Sequence, residues 1–251
     1  MIATVHAPHE ALTLCAIVAA YAIVQSVFGV GLLVFGTPTL LLLGFPFEEV
    51  LAYLLPCSIV ISALQVYAGG LSLEPIRREF IRYAAPAVLL GTVVVLVVLN
   101  HKLNIRAGVG VMLVLTAVLR LVQPIRLRMG VLIRKRLRLF LAGLGILHGL
   151  SNLGGGVLTV IVSSLYSDKR SIRKHVAFAY GLMGLIQFST LLATTGVGWH
   201  VLRLALVLAA IAALTYQFVG RRVFDAADDL VYQGSLTALI AAFGVLLLMP
   251  T

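Results

Sequence analysis

The sequence predicts an all-α, polytopic membrane protein built as two inverted repeats, each with one broken, re-entrant helix and three transmembrane helices. Three observations predict it. The chain is very apolar: of 251 residues 61% are hydrophobic and 11% charged, with mean hydropathy +1.09. Soluble domains do not reach that balance, and about six to eight spans of roughly 20 residues fit the length. Two glycine-punctuated stretches lie about half a chain apart. Finally, the basic residues fall in clusters between apolar runs.

The first stretch, Gln25 to Gly44, reads QSVFGVGLLVFGTPTLLLLG. Glycines 29, 31 and 36 interrupt an apolar run that begins at Ala11, and Thr37-Pro38-Thr39 follows. Pro38 lacks a backbone donor and suits the first turn of a new helix, with Thr37 as its N-cap. The spacing therefore predicts a helix that breaks at membrane depth and restarts at Pro38. The second stretch, His148 to Leu165, reads HGLSNLGGGVLTVIVSSL. A shift of 125 positions places Ser26 on Ser151, Gly29 on Gly154 and Gly31 on Gly156. A duplicated broken helix is the sequence mark of a transporter binding site between repeats.

The remaining spans are expected at Val50–Ala68, Tyr83–Leu99, Ala107–Val122, Val176–Thr195, Leu202–Gly220 and Val231–Met249. Leu40–Leu43 and Val157–Leu165 are too short to cross and form the second arms of the broken elements. With six full spans and the Arg120–Arg138 loop cytoplasmic, all of the 19 basic residues except Lys102, Arg106 and Arg203 fall on the cytoplasmic side. The first element fits less tightly, because Ala11–Leu33 alone would reach about 34 Å as a helix. Residues 1–122 form the first repeat, 123–138 a basic, solvated linker and 139–251 the second, inverted repeat. Asp225, Asp228 and Asp229 beside Arg221 and Arg222 read as a short interfacial helix.

Each restart places unpaired backbone N–H groups and the positive end of a helix inside the membrane, which favours an anion. Gly29, Gly31, Gly154, Gly155 and Gly156 let those donors approach a ligand. Ser26, Thr37, Thr39, Ser151, Asn152 and Thr159 offer neutral polar contacts, and Gln25 and Gln187 are amides that line the path or bridge helices. The competing reading is plain helix packing, with each hydroxyl bonded to its own helix. His148 is the histidine set well inside an apolar segment and is the candidate for proton coupling. The broken elements carry no Asp or Glu, which suits an anion and disfavours a carboxylate cation site.

Other classes fit less well. The +10 charge reads as cytoplasmic loops rather than a nucleic-acid surface. Cys15 and Cys57 sit in apolar runs and give neither a disulfide framework nor a zinc spacing. The start MIATVHAPHE lacks a basic n-region, so no cleaved signal is expected. The chain contains no Gly-x-Ser-Gly and no His-Glu-x-x-His, so no enzyme, cofactor or metal is expected.

The chain resembles the TauE/SafE family of sulfite exporters. The likeness rests on Gln25, Phe28-Gly29-Val30-Gly31, Pro38-Thr39-Leu40 and Gly44-Phe45-Pro46 in the first half. In the second it rests on Gly149, Leu153-Gly154-Gly155-Gly156 and Asp168-Lys169-Arg170…Arg173. It departs where many members carry Gly-Gly-Gly, here Gly31-Leu32-Leu33, and where many carry proline, here Ile161 to Ser163. The resemblance brings Phe28 into the candidate set. It implies a secondary transporter in a bacterial or archaeal inner membrane, moving sulfite, thiosulfate or organosulfonates, commonly with protons. The partners expected are a small anion and membrane lipid, and a homo-oligomer is compatible. A passive anion channel of the same architecture is the alternative.

Overall fold

The structure, a computed structural model, describes residues 8–70, 75–98 and 123–226, with four isolated positions beyond. Among these residues the chain is helical, without strands. Helix α1 covers Pro8–Phe28, α2 Leu32–Leu42, α3 Phe47–Gly69 and α4 Ile76–Val98. After these come α5 at Gln123–Lys135, α6 at Leu137–Ser151 and α7 at Gly155–Leu165. Helix α8 covers Lys169–Thr194 and α9 Trp199–Ala226. Five of these, α1, α3, α4, α8 and α9, are long and apolar enough to cross a membrane. Four match expected spans, and the fifth, α1, is the first arm of the broken element. The spans expected at Ala107–Val122 and Val231–Met249 lie outside the described residues.

Helix α3 is the axis of the bundle. It packs against α1, α2, α8 and α9, and 61% of its spanning window is buried, against 33–50% in the other spans. The outer helices expose Leu89, Leu90, Leu185, Leu206, Leu214 and Phe218, as lipid-facing surfaces do. Helix α5 takes up the expected linker. It is amphipathic rather than a solvated loop: Ile133 is buried while Arg128 and Arg134 stay exposed, and it packs on α7. Arg221–Ala226 is the end of α9 rather than a separate short helix; Asp228 lies beyond it and Asp229 is outside the described residues.

The first restart comes earlier than Pro38. Leu32–Gly36 already forms a π-helical turn, and the Thr37 N–H donates to the Leu33 carbonyl. Thr37 therefore lies inside the helix and caps nothing. The proline shapes the turn before it: its ring collides with the carbonyl four residues back, and a wider turn relieves the clash. The same arrangement recurs in α4, where the π-turn Phe80–Ala84 ends two residues before Pro86.

Glycines set a close crossing between α4 and α6. A β-carbon on Gly149 of α6 would lie 2.5 Å from the Val88 carbonyl oxygen of α4, and one on Gly91 would lie 2.7 Å from the Ile146 oxygen. Gly145 and Gly149, four apart, place two backbones in contact, as small residues do in membrane bundles. At the start of α8 the Ser171 N–H donates to Asp168 at 2.8 Å, which holds that carboxyl below its ordinary range. This cap is complete at neutral pH and fails only as pH falls through the lowered value. Gly149→Ala should separate α4 from α6 and cost about 1–3 kcal/mol. The check is the thermal midpoint of purified protein followed by size-exclusion fluorescence, where a fall of roughly 5 °C is expected.

Candidate functional site

The first break runs from Gly29 to Gly31. Gly29 has φ 76, and its N–H donates to the Gln25 carbonyl at 2.8 Å. A β-carbon there would lie 2.9 Å from Val176 Cγ1, and one on Gly31 would lie 2.5 Å from the Gln25 nitrogen. The chain thus folds back onto the last turn of α1. Gln25, fully buried, supplies what the broken ladder lacks. Its Oε1 accepts the Leu32 N–H at 3.3 Å, and its Nε2 donates to the Ser58 carbonyl at 2.9 Å and the Ser58 hydroxyl at 3.0 Å. Gln65 Nε2 donates to the carbonyls of Gln25 at 2.9 Å and Ser26 at 3.0 Å.

The second break turns on Asn152, whose φ of 63 is positive. Asparagine is among the few residues that adopt this conformation readily. Its N–H donates to the His148 carbonyl at 2.7 Å, which also accepts Gln187 Nε2 at 3.1 Å. The Gly154 N–H donates to His148 Nδ1 at 3.1 Å. That bond makes Nδ1 the acceptor, so the neutral ring carries its proton on Nε2. A second proton would have to sit on Nδ1, facing the Gly154 N–H. His148 is thus arranged as a donor through Nε2.

The two breaks meet. Asn152 Nδ2 donates to Thr37 Oγ1 at 2.9 Å. A β-carbon on Gly155 would lie 2.6 Å from Val34 Cγ2 and 2.9 Å from Tyr180 Cε2, so Gly155→Leu perturbs packing and site together. Among the described residues, four buried polar atoms near this meeting point make no hydrogen bond: His148 Nε2, Asn152 Oδ1, Gln187 Oε1 and Tyr180 Oη, with the Gln187 amide beside the His148 ring. The rings of His148 and Tyr180 are 5.8 Å apart. The Tyr180 oxygen lies near the backbone N–H groups of Val34, Leu33 and Gly31 without reaching hydrogen-bond geometry. Buried polar atoms are usually satisfied, so a cluster of exceptions marks a place that exchanges partners.

The other candidates are placed differently. The hydroxyls of Ser26, Ser151, Thr39 and Thr159 donate to carbonyls of their own helices, at Ala22, Leu147, Phe35 and Gly156. Thr39 also pairs with the Tyr21 hydroxyl at 2.8 Å, and Ser151 accepts the Leu153 N–H at 3.3 Å. Phe28 is buried in the core. Gly156 is buried in the first turn of α7, which has no side-chain cap. Sequence reasoning passed over Ser58, Gln65 and Tyr180. Tyr180 and Gln187 stand seven apart, on one face of α8, and that spacing was the available signal. It also passed over Glu49, which is 3% exposed within the first turn of α3.

The profile of one protein family, "Sulfite exporter TauE/SafE", matches residues 13–247 of the chain. The chain belongs to the TauE/SafE family of sulfite exporters. Curated proteins and solved structures, compared in the same way, gave no match. TauE/SafE is a family of transporters. Its membership and the five long apolar helices make this a multi-pass membrane protein. Both broken elements fall inside the matched region.

Gln25→Leu should remove four hydrogen bonds at the first break and strand the Leu32 N–H. A loss of about 1–3 kcal/mol is expected, visible as a lower thermal midpoint.

Proposed function

We propose that the protein is a secondary transporter that moves a small sulfur-containing oxyanion across the inner membrane of a bacterial or archaeal cell by alternating access. The observation that carries this reading is the meeting of the two breaks, joined by Asn152 and Thr37 and ringed by four polar atoms that make no hydrogen bond. The ligand lies between the breaks. His148 Nε2–H, the Tyr180 hydroxyl and the uncapped N–H groups at the start of α7 donate to its oxygens. Binding requires that the Asn152–Thr37 contact open, and the two sides of the seam then rock apart on one face or the other.

Two of the four atoms are acceptors. Gln187 Oε1 is fixed as such, because its Nε2 donates to the His148 carbonyl. A fully deprotonated oxyanion would face those lone pairs unfavourably, whereas an oxyanion carrying one proton donates to them. Sulfite titrates near neutral pH, so hydrogen sulfite satisfies both halves of the site. The proton then crosses on the ligand, and His148 serves as a donor.

The test is flux in proteoliposomes. Sulfite uptake should saturate, and its initial rate should rise as the loading side is acidified through neutrality. A rate that climbs with pH would sink the protonated-ligand reading. Asn152→Gly keeps the positive φ and removes the side chain, and Gln187→Leu removes the fixed acceptor. Each should fold, and each should lower kcat/KM by at least about tenfold, roughly 1.4 kcal/mol. Wild-type flux in both variants would displace the site from the seam. Rapid, unsaturable chloride flux in the wild type would favour a channel.

A further inference from the structure

Arg77 stands in the first turn of α4 and is 2% exposed, while its neighbour Arg78 is exposed. Its Nε, Nη1 and Nη2 are all buried and make no hydrogen bond. The guanidinium lies 4.8 Å from the centre of the Phe178 ring of α8. That cation–π contact offsets only part of the cost of taking a cation out of water. Among the described residues, no carboxylate lines the cavity that Arg77 borders. Glu79, on the same turn, is held by Arg138 at 3.1 Å. A cation buried in a membrane protein without a counter-ion of its own marks an ion pathway.

The cavity lies between α4, α6, α7 and α8, against Leu141, Leu158, Ile161 and Phe178. It measures about 10 Å³, room for about one water. Sulfite, with a central atom and its oxygens, does not fit. The structure therefore holds Arg77 masked. What masks it is tied to the seam. The Leu158 N–H donates to the Gly154 carbonyl at 2.8 Å, so the cavity wall begins one turn from the second break. Helix α7 also carries Gly155, which is packed on Val34. Parting the two breaks moves the helix that covers Arg77.

We propose that Arg77 is the cationic anchor of a second oxyanion site, masked while the seam is closed and uncovered when α7 moves. This rests on the transport reading above. A ligand shifts a conformational equilibrium only by its differential affinity for the two states. Arg77 supplies such a difference, because it is out of reach in the closed state and within reach in the open one. Its planar guanidinium matches two oxygens of an oxyanion at once. When α7 returns, the cation is covered again and the cargo is displaced, so a strong pairing does not become a trap. A lipid headgroup phosphate presents the same oxygens, and the experiment separates the two sources.

The experiment joins thermal unfolding of the purified protein to sulfite flux in proteoliposomes. The variants are Arg77→Met and Arg77→Gln, and Arg78→Gln is the control for loss of one exposed charge. Without ligand, Arg77→Met should unfold at or above the wild-type midpoint, because a buried cation without an ion partner is replaced by an apolar side chain. Sulfite should raise the wild-type midpoint with concentration. Both Arg77 variants should need about tenfold more sulfite for the same rise and lose about tenfold in kcat/KM, while Arg78→Gln behaves as wild type. A lower midpoint in Arg77→Met with an unchanged sulfite response makes Arg77 a packing residue and overturns the anchor. Wild-type kcat/KM in both variants overturns it too and leaves the seam untouched. Absence of sulfite flux in the wild type overturns the transport reading and the anchor with it. The unfolding series is repeated with phosphatidylglycerol in place of sulfite. If that lipid alone gives an Arg77-dependent rise, the occupant is a lipid phosphate and the cargo role fails.

Discussion

A backbone interrupted inside a membrane must find partners for the N–H and C=O groups that the helix no longer pairs. That constraint organises this molecule. Among the described residues it is met mainly by amides and an imidazole, with Arg173 adding a charged donor to the Ser26 carbonyl. Gln25 and Gln65 take the first break, and His148, Asn152 and Gln187 take the second. Each of these side chains except Asn152 bonds backbone at a break, and Asn152 instead joins the two breaks through the Thr37 hydroxyl. The central position of α3 follows, since Ser58, Ser62 and Gln65 must stand beside the end of α1. The length of α8 follows too. It spans from Arg173 at the first break to Gln187 at the second.

Along that path the contact between the two breaks is uncharged, whereas Arg173 brings a charge to the end of α1. The seam is made of neutral donors and acceptors. A fixed cation at the seam would hold an anion strongly and release it slowly. Neutral dipoles and helix ends give orientation with weaker retention, which suits a site that must let go on the other side.

The sequence carried the breaks plainly, because positive φ and backbone contact leave glycine or asparagine as the usual choices. Gly29 and Gly31 stood out by their repeat at Gly154 and Gly156. The restart at Leu32 could not. Pro38 marks a helix start, but its ring also widens the turn before it, and a π-turn has no residue signature of its own. Thr37 reads as a cap and lies within the helix for that reason. The hydroxyls were ambiguous for a different cause: Ser26, Thr39 and Thr159 satisfy themselves within their helices, an option every serine and threonine has. Gln65 and Tyr180 were hidden because one polar residue on an apolar helix points to a partner only once the neighbouring helix is known. The family resemblance reached the same region through Gln25 and the glycines, and the profile match from 13 to 247 covers both breaks.

The contact between the breaks is made by protein alone, through Asn152 to Thr37 and Gly155 to Val34. Anything that crosses must first part it, and a ligand able to satisfy the exposed donors and acceptors does so at least cost. Ions that cannot replace those bonds meet an intact barrier. On the proposed transport reading, membrane tightness is built into the same seam that recognises the cargo. On that reading a cell carries many copies of this protein without short-circuiting its proton-motive force.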